Sequence, residues 1–167
     1  MRYKIDIVLK EEIEFLQSHS LFGGLKRDEI ELLLPFLKKE ELREGKVILE
    51  EGKVNDRLYF IYRGSVGIYK KPRGSKRTLK KISVLKTGDT FGEMELIDIQ
   101  PCIASVKTLE PTTVLSISSM DLYKIAKKNL KTFTMIIMNV AREISRRLRR
   151  MDEIVSGESF ADDFVVE

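Results

Sequence analysis

At 167 residues the chain is long enough for one domain with a buried core. Its formal charge of +4, the balance of 30 basic and 26 acidic side chains, makes no case by itself for nucleic-acid or membrane binding. One cysteine excludes an internal disulfide framework, and one histidine with scattered carboxylates supplies neither a catalytic set nor a metal cluster, so the reading is of a protein that is not an enzyme.

Residues Met1 to Asp6 do not form a signal peptide, and no apolar run nears the roughly 20 residues that cross a bilayer. A soluble, cytoplasmic protein is expected. Residues 1–39 read as an N-terminal helical segment. Ile5, Val8, Leu9, Ile13 and Leu16 share a helical stripe, Ser18 to Leu25 break it, and Asp28 to Leu37 make a second short helix loosened near its end by Pro35. His19 reads as a turn residue.

Residues 40–118 change to short strands: Glu41–Glu44, Val47–Glu50, Leu58–Tyr62, Ser65–Lys70, Thr78–Leu85, Ala104–Leu109 and Val114–Ser118, with a basic hairpin tip over Lys71 to Arg77. About eight strands at turn spacing, with Gly52, Gly64 and Gly88 at the turns, predict a β-roll of jelly-roll kind. The fold class is mainly β with flanking α: an eight-stranded roll between N-terminal helices and a long C-terminal helix.

The C-terminal helices occupy 119–155. Ser118 or Ser119 caps a helix from Met120 to about Lys128, Asn129 stops it, and a longer helix runs from about Leu130 to Val155. Phe133, Ile137, Val140, Ile144, Leu148, Met151 and Val155 recur every three or four residues, close to a heptad seam, and predict a homodimer through this helix. Arg142, Arg146, Arg149 and Arg150 are placed opposite the seam and Arg147 beside it; this Arg-rich face is a candidate dock for a protein partner. Residues 156–167 read as a loose acidic tail.

Within the roll, the stretch 91–106 is the one that points to chemistry. Phe91-Gly92-Glu93 leads into a short helix that ends before Pro101, and a helix start offers unpaired N–H groups to an anion. This stretch, the LFxGL turn at 21–25 and the glycine spacing of the strands together resemble the cyclic nucleotide-binding domain family, from about Phe15 to Met151. The resemblance implies a phosphate-binding cassette in which Phe91-Gly92-Glu93 is followed by an Arg, a Ser or Thr, and an Ala. Here those three positions hold Cys102, Ile103 and Ala104, so the two phosphate-specific side chains are missing.

The resemblance further implies a ribose contact for Glu93, places Ile82, Ser83 and Met94 beside the ligand, and puts Met151 and Asp152 where the long helix closes over the base. Cys102 reads first as a small buried hydrophobe and second as a redox thiol whose pKa the adjacent helix start lowers. No cation stands out as a replacement. Lys107 faces away by strand parity, Arg77, Lys80 and Lys81 lie on a hairpin, and Arg147 reaches in only from the helix. Cyclic AMP and cyclic GMP are the candidate ligands, with weak or absent binding expected and no other cofactor implied.

The expected function is a regulatory or sensor module with a degenerate pocket. The alternatives are true cyclic-nucleotide binding through a substitute cation and a ligand-free interaction scaffold. Nothing after the long helix suggests a helix-turn-helix unit, so no DNA-binding domain is expected in this chain.

Overall fold

The computed structural model describes residues 11–72 and 79–162. The start of the expected first helix, the hairpin-tip residues 73–78 and the tail residues 163–167 lie outside them. Eight strands form two antiparallel four-stranded sheets. One has the order β1 (Lys38–Leu42), β8 (Thr112–Ser118), β3 (Arg57–Arg63), β6 (Thr90–Phe91). The other has the order β2 (Val47–Leu49), β7 (Ser105–Thr108), β4 (Ser65–Lys70), β5 (Lys80–Lys86). The helices are α1 over residues 11–18, α2 (Arg27–Glu31), α3 (Glu93–Asp98), α4 (Ser119–Lys128) and α5 (Leu130–Asp162). The architecture is the expected mainly-β roll with flanking helices.

Strand β3 explains the arrangement. Side chains alternate across a strand. Leu58 and Phe60 therefore face outward into a core shared with the helices, while Tyr59 and Ile61 face inward between the sheets. Both sets are buried, and this is why the run is apolar without a polar face. β8 does the same, with Leu115 and Ile117 outward and Val114 inward.

The outer core is sealed by Ile13 and Leu16 of α1, Ile30 and Leu33 near α2, Leu122 and Ile125 of α4, and Ile136 and Val140 of α5. His19 is buried here among Phe15, Phe22 and Phe60. Its Nδ1 accepts the Leu21 N–H at 3.2 Å, and burial holds its pKa below the ordinary value.

Several elements differ from expectation. The second helix stops at Glu31 and a separate 3-10 turn spans Leu34–Phe36, because Pro35 has no N–H to continue an α-helix. The first strand begins earlier, at Lys38, since Arg43 to Lys46 form the turn. β6 has only two residues and was not anticipated. Ser118 caps α4 by accepting the Asp121 N–H at 3.1 Å, and α5 continues past Val155 to Asp162. On α5, Ile136, outside the expected seam, is as fully buried as the seam residue Val140, whereas Leu148, Met151 and Val155 are exposed.

Candidate functional site

The mouth of the roll is assembled around Gly92. Its φ of +82° lies in the left-handed region, and an added Cβ would stand 2.5 Å from the Arg57 carbonyl oxygen and 2.9 Å from Asn55 Nδ2. Only glycine fits there, and that sharp turn converts β6 directly into α3. Phe91, just before it, is buried and stacks on Tyr59 with centroids 4.8 Å apart. The turn thus aims the first residues of α3, Glu93 and Glu95, inward. They are 4 % and 8 % exposed.

A cavity of about 520 Å³ opens beside them. Its wall includes Leu49, Ile68, Ile82, Ser83, Leu85 and Val106 from the sheet β2-β7-β4-β5, Phe91 to Glu95 from the β6–α3 turn, Ile103 and Ala104 before β7, and Arg147, Arg150, Met151 and Ile154 from α5. Of the expected site residues, Ile82, Ser83, Phe91, Gly92, Glu93, Met94, Ile103, Ala104, Arg147 and Met151 meet at this cavity; Cys102 and Asp152 do not line it. Asp152 is exposed, since one residue along a helix turns the side chain by about 100° from Met151.

Cys102 is 3 % exposed and packs in the inner core with Leu49, Tyr59 and Val106. Its backbone is pinned to the 52–53 turn by two hydrogen bonds of 2.8 Å, from Cys102 N–H to the Lys53 carbonyl and from Gly52 N–H to the Cys102 carbonyl. Burial and the neighbouring Glu95 carboxylate raise the thiol pKa. This placement fits the first reading of Cys102, a small buried hydrophobe; the helix start does not lower its pKa, because desolvation and a like-charged neighbour act the other way.

Arg147 is the cation that sequence reasoning set aside. Its Nη1 donates to Glu93 Oε1, while its Nη2 donates to the Thr90 carbonyl at 2.7 Å and to Thr90 Oγ1 at 3.3 Å. It is 30 % exposed on its side chain and is braced by Glu143 at 3.4 Å along the same helix. Burial pushes the Glu93 carboxyl above its usual range, and Arg147 partly opposes this. Oxygen Oε2 of Glu93 is buried and has no hydrogen-bond partner among the described residues. Arg150, expected on the opposite side of α5, also lines the cavity, as does Lys70, which was not anticipated. Glu95 was missed as well, because its position two residues from Glu93 in a helix gives no reason to share a cavity.

Lys107 is exposed and off the cavity, as strand parity requires. A second, more open depression of about 710 Å³ lies at the loops of Arg63 to Ser65, Lys86, Thr87, Glu110 and Pro111. Among the described residues no group of three His, Cys, Asp or Glu side chains is placed to hold a metal, and no helix is long and apolar enough to cross a membrane.

The model of the cyclic nucleotide-binding domain family matches residues 39–129. The Cyclic AMP receptor protein of Thermus thermophilus is 27 % identical over 137 residues, covering 82 % of this chain and 61 % of that protein, so the chain spans under two thirds of that relative. A cyclic nucleotide-binding domain from Methylobacillus flagellatus superposes with a TM-score of 0.79 at 24 % identity, covering 91 % of this chain and 85 % of that one. The regulatory subunit of a cAMP-independent protein kinase A from Trypanosoma brucei, solved as a triple mutant bound to cAMP in the A site, superposes with a TM-score of 0.68 at 21 % identity over 81 % of this chain and 47 % of that one. The two structural likenesses are likenesses of fold.

Proposed function

The chain belongs to the cyclic nucleotide-binding domain family, and we propose that it is a regulatory, non-catalytic module whose cavity holds cyclic AMP and cyclic GMP weakly or not at all. One observation carries this. The cassette presents Ile103, 50 % exposed, and Ala104 to the cavity, Cys102 is turned into the core, and the deepest cation, Arg147, is already held by Glu93 and Thr90. A phosphate entering there exchanges water for hydrocarbon and two carboxylates, and an unpaired buried charge is costly. Output would pass through α5, since Arg147 ties that helix to the cavity; occupancy shifts the population of helix positions rather than driving a reaction. We further propose a cytoplasmic homodimer in which a second copy covers the exposed Leu148 and Val155.

The test is to rebuild the cassette. An arginine at 102 is too large and polar for the inner core and must swing out past Glu95. Cys102→Arg with Ile103→Ser is expected to gain at least about tenfold in cyclic AMP affinity, the value of one charge-assisted contact. Adding Glu95→Ala should raise the gain, because Glu95 otherwise captures the new guanidinium. The trypanosome protein supports this choice: its cAMP-bound form carries glutamate to alanine and, seven and eight residues on, threonine to arginine and valine to alanine. Glu95, Cys102 and Ile103 stand at the same intervals here. No gain in calorimetry with the triple variant overturns the electrostatic account. A second reading has one observation in its favour, the presence of Arg147 in the cavity. If Arg147 leaves Glu93 to grip a phosphate, wild-type cyclic AMP binding will be measurable and Arg147→Ala will abolish it.

A further inference from the structure

We infer that the cavity takes an uncharged ligand, an unphosphorylated nucleoside, in preference to any phosphate ester; this rests on the reading of the cavity given above. The inference follows from what each part of the wall offers. Leu49, Ile68, Leu85 and Val106, with the exposed Ile103 and Ile154 at the opening, make a largely apolar wall around about 520 Å³, suited to a flat ring system. The buried polar groups are acceptors. Oε1 of Glu93 is occupied by Arg147, but Oε2 is buried with no partner among the described residues, in a side chain 6 % exposed. A buried acceptor left unpaired is destabilising, and a ligand hydroxyl or amino group satisfies it without displacing Arg147.

The charges argue for neutrality. Glu93 and Arg147 offset one another, leaving Glu95 as the remaining buried carboxylate on the wall. Lys70 and Arg150 also line the cavity but are exposed, so water screens them. An anion driven inward meets Glu95 and Ile103 and gains no new cation. A neutral donor meets an acceptor that lacks a partner. Adenosine and its cyclic monophosphate share the ring and most of the sugar, so they differ in the one group that this cavity rejects.

The experiment is isothermal titration of the full chain with adenosine, guanosine, cytidine and uridine, each beside its cyclic monophosphate, with thermal shift in parallel. At least one nucleoside is expected to bind at least about tenfold tighter than its cyclic monophosphate and to raise the melting temperature. Glu93→Ala should weaken that binding by about tenfold or more. Should that variant fail to fold, Ile103→Trp at the half-exposed wall fills the cavity and should abolish binding while the melting temperature without ligand is kept. Failure of all four nucleosides and all four cyclic monophosphates overturns this inference and leaves the proposed weak grip on phosphate standing. A cyclic monophosphate binding as tightly as its nucleoside, or tighter, overturns the inference, and micromolar affinity for cyclic AMP overturns both. Binding untouched by both Glu93→Ala and Ile103→Trp places the ligand elsewhere and also overturns it.

Discussion

The two halves of α5 share one apolar repeat and have opposite circumstances. Up to Ile144 the helix is core: Ile136 and Val140 are buried in the outer core with α4 and the Ser20–Phe22 turn, with Phe133 and Ile144 partly buried beside them. Asn139 is buried and donates to the carbonyls of Leu21 at 3.0 Å and Gly23 at 2.9 Å. From Arg147 onward, Leu148, Met151, Ile154 and Val155 are all exposed, and among the described residues the polar contacts to the roll are those of Arg147. One half is held by packing and directed hydrogen bonds. Among the described residues the other reaches the roll through the Arg147 guanidinium, with Met151 and Ile154 beside it on the cavity wall. A helix so divided can keep the fold intact while its far half responds to what the cavity contains.

Removing a packing residue from the first half should break the comparison most severely. Ile136→Ala leaves a void in the outer core and is expected to cost about 2–5 kcal/mol in urea unfolding. Asn139→Ala takes the donor from the buried Leu21 carbonyl and from the Gly23 carbonyl and should cost about 1–3 kcal/mol by the same measurement. Arg147→Ala sharpens the contrast. Its global cost should be smaller, about 1–2 kcal/mol, below that of a fully buried pair because Arg147 is partly exposed and Glu93 can take up a proton.

Hydrogen exchange in that variant should rise across residues 148–162 and stay unchanged across 130–144; a uniform rise along α5 would deny the division. The pH dependence has a definite sign. Burial already raises the Glu93 pKa, and losing Arg147 raises it further. Protonated Glu93 suits the folded state, so the Arg147→Ala penalty is least below the unfolded pKa and grows as pH rises through the folded one.

Much of the fold was legible because it depends on local signals. Glycine turns delimited the strands, Ser118 capped α4, and Asn129 divided α4 from α5. β6 escaped notice because two residues carry no period, and α2 was overextended because the effect of Pro35 reached back further than a loosened last turn. The candidate site was legible only in part. Phe91-Gly92-Glu93 announced it, since Gly92 is required by backbone geometry alone. The direction of Cys102 is set by pairing with residues 52–53, about fifty positions earlier, which no local pattern encodes. Arg147 was one arginine in a run of similar ones, and a repeat of three and four residues is the same whether a face is covered or bare. Only the placement of the helix against α3 picks it out.

The most direct measurement is calorimetric titration of the full wild-type chain with cyclic AMP. The account predicts binding no tighter than roughly millimolar, because the only deep cation at the cavity among the described residues is already paired with Glu93. Micromolar binding that disappears in Arg147→Ala would contradict it, showing that the guanidinium leaves its carboxylate for a phosphate.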